Sequence, residues 1–328
     1  MSDASQERFE GDYPWVPVGP SSGPLEPASG PSAEVRPPPL PVSLEEVGRV
    51  PPVRLRWRVP LLLFVATCVS TFLVGGWVYC VALMTILVCH EAGHFLQARR
   101  YGVPATLPYF LPMPLSPIGT LGAVIAMDAR VKDRRALFDI GITGPLAGLI
   151  PTLACCVVGL QAPFSKVSPI LQYLEAGEAG VFELGEPLLF TLLARWNFGA
   201  IPDGHTVVIG PLATAGWVGL LITAVNLFPI GQLDGGHVLY ALLRRRAHRV
   251  AQVILIGAVV GVVAGVWIFK QRGMAGWTVM LVLLALMGPR HPPTANDAVP
   301  LGPVRIVLGW ATLAFLILGF TPNPFPGL

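Results

Sequence analysis

Charge is scarce in this chain. Of 328 residues only 12% are Asp, Glu, Lys or Arg, against roughly 25% in soluble domains. Hydrophobic residues make up 53% and the mean hydropathy is +0.64. A soluble globular reading is therefore poor. A basic excess is missing too: 22 Lys+Arg against 19 Asp+Glu leave a net charge of +3, too little to suggest a nucleic-acid partner. Cysteine is sparse. Five occur, at positions 68, 80, 89, 155 and 156, all in apolar stretches and none spaced CxxC. This argues against a secreted disulfide scaffold and excludes a zinc site built on Cys pairs.

Large apolar residues are few in residues 1–52, which hold 12 of the 34 prolines. Runs such as Pro37-Pro38-Pro39-Leu40-Pro41 favour polyproline II and cannot close a core, so a disordered Pro-rich tail is expected, an idle linker or the binding segment for an unknown partner. No apolar run follows the start as a signal peptide needs. Asp3, Glu7, Glu10 and Asp12 stand where transit peptides avoid acid.

From Val59 onward long charge-free runs begin. A spanning helix needs about 20 apolar residues. Residues 59–98 contain one charge, Glu91; as a single rod they would run about 60 Å, twice a bilayer core. They are read as two spans turning near Gly75-Gly76. Spans are expected near 59–77, 80–98, 137–158, 209–228, 250–269, 273–288 and 303–320, the sixth being short. The expected fold is an all-α multi-pass membrane protein of about seven transmembrane helices. Its parts are a tail (1–52), a membrane core (53–245) and additional C-terminal helices (246–328). With the N-terminus in the cytoplasm, 18 Lys and Arg fall on the inner side and four on the outer: Lys166, Arg195, Lys270 and Arg272. In the outer loop, Pro187–Trp196 reads as a short interfacial helix.

The chemistry gathers at the end of the second span, where His90-Glu91-Ala92-Gly93-His94 spells HExxH. On a helix the two histidines lie one turn apart on one face and can share a zinc ion, with Glu91 in reach of a water on it. Roughly 0.004 such matches are expected by chance at this composition. A carboxylate in a span costs roughly 2.5–3.5 kcal/mol near its centre unless it is paired, hydrated or neutralised, and a cation would offset that. An open catalytic zinc site takes a third protein ligand. His205 lies on the outer side, and His248 and His291 sit among basic or loop residues. Asp234 and His237 remain, at the inner end of the fourth span in Asn226-Leu227-Phe228-Pro229-Ile230-Gly231-Gln232-Leu233-Asp234-Gly235-Gly236-His237. Asp234 is the only acid between Asp203 and Asp297 and is preferred as the ligand, a helix N-cap being its structural alternative. His237 is read as a neighbour of the ligands, or as the ligand itself.

These motifs, with Gly144-Pro145-Leu146-Ala147-Gly148 and Pro117-Ile118-Gly119-Thr120-Leu121-Gly122-Ala123, resemble the site-2-protease family of intramembrane zinc metalloproteases, in its bacterial and plastid branch without an obvious PDZ domain. The resemblance covers roughly residues 59–245. It implies one zinc ion per chain held by His90, His94 and Asp234, Glu91 as catalytic base, and Asn226 steadying the oxyanion or the substrate backbone. It also implies a membrane-embedded strand pair from the Pro/Gly-rich stretch 108–127, and a transmembrane protein as substrate, cut near the cytoplasmic side. Small residues at 141, 144, 147 and 148 suit tight packing behind the zinc helix. The competing expectation is a non-catalytic scaffold or a metal transporter in the same bilayer. A prokaryotic plasma membrane is preferred to a plastid membrane because no transit peptide is visible.

Overall fold

The computed structural model describes residues 57–127, 131, 133–170 and 183–326. The expected tail at 1–52 lies outside the described residues. Helices dominate, with two small antiparallel sheets. Among the described residues, three helices are long and apolar enough to cross a membrane.

The first of these, α1 (Arg58–Arg100), is 43 residues long and has one non-helical residue, Gly76, at φ 74°. Only glycine adopts that conformation without strain. The chain reverses there: Cys80 Sγ lies 3.3 Å from the carbonyl oxygen of Cys68, whereas a straight helix would separate these residues by about 18 Å. Two antiparallel halves result, as the Gly75-Gly76 pair predicts. Thr67 and Thr71 return their hydroxyls to carbonyls at 63 and 67, which hides those polar groups within an apolar rod.

Strands β1 (Tyr109–Met113) and β2 (Gly119–Val124) form the expected hairpin, with a bulge between Phe110 and Pro112. Both halves of α1 hold it. Ser70 donates to the Gly119 carbonyl at 2.6 Å and Tyr79 to that of Ile118 at 2.8 Å; Phe64 meets Phe110 edge-on.

Helix α2 (Arg134–Gln161) starts at Asp133, whose carboxylate accepts from the backbone N–H of Arg135 and Ala136. The second sheet pairs β3 (Lys166–Pro169) with β4 (His205–Val208). Between these strands α3 (Leu188–Phe198) forms where a short helix is expected, with Leu188, Leu192 and Trp196 exposed along one face. Helix α4 (Pro211–Asn226) lies close against α2. An added Cβ at Gly159, Gly216 or Gly219 would meet Ala213, Cys156 or Thr152 within 2.6 Å, so the backbones approach as small residues permit.

Helices α5 (Asp234–Leu243), α6 (Arg246–Trp267), α7 (Trp277–Met287) and α8 (Pro303–Gly319) complete the chain. Three of the seven expected spans fall on shorter apolar helices: α4, α7 with the 3-10 turn before it, and α8. At 1.5 Å per residue α4 spans about 24 Å, less than a bilayer core of about 30 Å. Arg305 of α8 holds Asp139 of α2 with both carboxylate oxygens at 2.8 Å, and Tyr101 donates to the same carboxylate. Two apolar cores flank the second half of α1, one built with α4 and one with α2, α5 and Leu313 of α8.

Candidate metal centre

His90 and His94 lie on one face of α1, 3% and 6% exposed, because four residues make just over one helical turn. Asp234 arrives from the other side of the fold. Helix α4 ends at Asn226, residues 227–233 turn the chain, and α5 begins at Asp234. The N-cap of α5 is Leu233 and no side chain caps it. The capping alternative for Asp234 is therefore excluded: its carboxylate points to the histidines.

The three side chains converge. Asp234 Oδ2 is 3.1 Å from His90 Nε2 and Oδ1 is 3.2 Å from His94 Nε2; the two Nε2 atoms are 3.2 Å apart. One donor atom from each residue lies within 4.8 Å of the others. Donors bonded tetrahedrally to zinc at about 2.05 Å stand about 3.3 Å apart, so the spacing suits a single ion. The proton positions suit it too. His94 Nδ1 lies 2.8 Å from the Ile140 carbonyl, which can only accept. The ring proton is therefore on Nδ1, and Nε2 offers a lone pair toward Asp234 and His90. The set of two imidazoles and a carboxylate is one that catalytic zinc uses, with a fourth position open.

Glu91, 4% exposed, is next to His90 on the same helix. Asn226 Nδ2 is 3.4 Å from His90 Nε2; the last residue of α4 thus reaches the same centre. His237 does not join the donors. Its Nδ1 lies 2.6 Å from His291 Nε2, which brings in a residue that sequence reasoning passed over.

The glycines of the 144–148 motif have a specific task. A Cβ on Gly144 would lie 2.0 Å from His94 Nε2, and one on Gly148 3.0 Å from the Cβ of His90. Both imidazoles occupy space that any other residue would fill. Gly93 answers on α1: its Cβ would meet the Thr143 carbonyl at 2.5 Å. Small-residue spacing suits tight packing behind the zinc helix, and the structure narrows this to a cradle for the two opposing histidines.

The profile of peptidase family M50 matches residues 78–267. A probable zinc metalloprotease EGY2, chloroplastic, from Oryza sativa subsp. indica is 32% identical over 248 residues, covering 75% of this chain and 43% of that protein. The EGY2 protein of Arabidopsis thaliana, likewise named chloroplastic, is 30% identical over 74% of this chain and 42% of its own length. EGY1 of Arabidopsis thaliana, also chloroplastic, is 30% identical over 73% and 42%. The chain thus spans about two fifths of the length of these relatives. Their chloroplastic names do not support the prokaryotic plasma membrane expected from the sequence. No solved structure matches.

Proposed function

The chain belongs to peptidase family M50, and on that premise we propose that it is an intramembrane zinc endopeptidase acting on the transmembrane segment of a protein substrate. One observation supports this most: donor atoms of His90, His94 and Asp234 gather within 4.8 Å from two separate helices. These three residues would hold the ion. Zinc bound there supplies Lewis acidity and lowers the pKa of a coordinated water toward about 7.

The remaining work falls to the chain itself. Glu91, beside His90, takes the proton of the attacking water and returns it to the leaving amine. Asn226 presents its amide N–H groups to the oxygen on which negative charge develops. His94 keeps its lone pair aligned because Ile140 holds the opposite ring nitrogen. Water enters from the end of α1 that carries Arg99 and Arg100, the cytoplasmic side or its stromal counterpart.

A helical substrate has its peptide bonds tied up in intrahelical hydrogen bonds and must unwind to be cut. Unwinding frees backbone groups that need partners within the bilayer. The β1–β2 hairpin offers strand edges for them, by β-augmentation. Its placement against both halves of α1 supports that role.

The test is cleavage of a model transmembrane substrate by purified protein in detergent or vesicles. Wild type is expected to bind one zinc per chain and to cut; Glu91→Gln is expected to keep the zinc and the fold and to stop cutting. Full zinc occupancy without turnover, across several substrates, would overturn the proposal in favour of a non-catalytic scaffold.

A further inference from the structure

His237 stands on α5 three residues after Asp234, a spacing that places both on one side of the helix. It packs against α2: a Cβ at Gly141 would lie 2.9 Å from the His237 Cβ and 3.5 Å from the Asp234 carbonyl oxygen. Gly141 follows Ile140, whose carbonyl receives His94. His94 and His237 thus meet neighbouring residues of one turn of α2, which sets His237 beside the candidate metal centre.

Its partner, His291, comes from the segment between α7 and α8, beyond the stretch that the family profile matches. That segment is seated firmly. A Cβ on Gly231, in the turn leading to Asp234, would lie 2.6 Å from the Gly288 carbonyl oxygen. His248 Nε2 donates to the His291 carbonyl at 3.0 Å. The His291 ring, 6% exposed, stacks on Tyr240 with centroids 4.7 Å apart. Tyr240 in turn donates to Asp297 at 2.7 Å, and Thr294 donates to the other oxygen of that carboxylate.

The proton positions along this chain are determined. His291 Nδ1 lies 2.5 Å from the Pro292 carbonyl, an acceptor only, so Nδ1 carries the proton. In the neutral ring Nε2 is then an acceptor. The atom 2.6 Å away, His237 Nδ1, must therefore be the donor. This leaves His237 Nε2 without a proton. Burial pushes His291 down to about 4, which keeps the ring neutral at physiological pH.

We infer that His291 is a positioning residue for the metal centre: it fixes His237 as the Nδ1–H tautomer, so that the Nε2 lone pair is presented as a hydrogen-bond acceptor one helical turn from Asp234. The group that this acceptor fits is a peptide N–H of the substrate or the N–H of the departing amine. That consequence rests on the peptidase reading. The tautomer does not.

Nuclear magnetic resonance of protein labelled with 15N-histidine, in detergent and free of metal, reads the tautomer directly. The chain has six histidines, and His237→Gln identifies the signal of His237. The expected result is an Nδ1–H pattern for His237 in wild type, lost in His291→Ala and restored in His291→Gln, whose amide oxygen can accept from His237. An Nε2–H pattern in wild type, or an Nδ1–H pattern that persists in His291→Ala, would overturn the inference. A misfolded alanine variant leaves the wild-type spectrum and the glutamine rescue to decide. In the cleavage assay, His237→Gln and His291→Ala are each expected to lower kcat about 10-fold with KM and zinc content unchanged, and the double variant no further. Additive losses, or none, would overturn the coupling. If wild type shows the Nδ1–H tautomer but cuts nothing, the peptidase reading fails and the tautomer assignment stands.

Discussion

Gly144 of α2 and His94 of α1 are so close that a single methyl group on the glycine would enter the imidazole ring, 2.0 Å from its Nε2 atom. This one contact couples the packing of α1 against α2 to the geometry of the candidate metal centre. Gly144→Ala is expected to displace His94, lower zinc affinity at least about 10-fold and abolish cleavage while membrane insertion persists. Gly148→Ala meets His90 at 3.0 Å and should cost less. Metal analysis of the two purified variants checks the order.

Asn226 approaches His90 from α4 without belonging to the donor set. Asn226→Ala should keep one zinc per chain and lower kcat by roughly 10²–10³, the usual loss when one oxyanion donor is removed. Zinc loss in this variant would instead assign Asn226 to holding His90.

Arg305 grips Asp139 with two parallel hydrogen bonds and ties α8 to the start of α2. Because Arg305 is about one-third exposed, solvent weakens the pair. A double-mutant cycle with Arg305→Ala and Asp139→Asn should return a coupling of about 1 kcal/mol in thermal unfolding, falling as salt is raised.

The linked histidines give stability a pH dependence. Burial, then the neighbouring ring, pushes His237 down to about 3; burial pushes His291 down to about 4. An unfolded histidine titrates near ~6.5. Between those values the unfolded chain binds more protons than the folded one, so stability falls as pH drops from about 6.5 and levels off below the folded values. In zinc-free protein, Tm should fall more steeply from pH 7 to pH 4 for wild type than for the His237→Gln/His291→Gln double variant.

His90, Glu91, His94 and Asp234 could be singled out in the sequence because ionisable side chains are rare within its apolar runs, and each therefore stands out. The reversal at Gly76 was legible because 40 nearly uncharged residues exceed one bilayer crossing. Prolines and glycines at 108–127 spoke against a spanning helix there, while the strand pair itself was implied by the family resemblance. Other features carried no such signal. The Ile140 carbonyl that orients His94 is backbone, common to every residue. His237 and His291 are 54 positions apart, and no periodicity joins a helix face to a loop. Arg305 could be read only as a flanking charge, since its partner lies 166 residues away. Hydropathy also marks apolar runs without fixing helix ends, and so the expected fourth, sixth and seventh spans fall on apolar helices shorter than a bilayer core is thick.

The last of the three donors follows the first by 144 residues. During synthesis, therefore, the two imidazoles are made and threaded long before the carboxylate that completes their set leaves the ribosome. A half-finished polypeptide holds two imidazoles without their carboxylate, so the donor set closes only after the chain has folded back on itself.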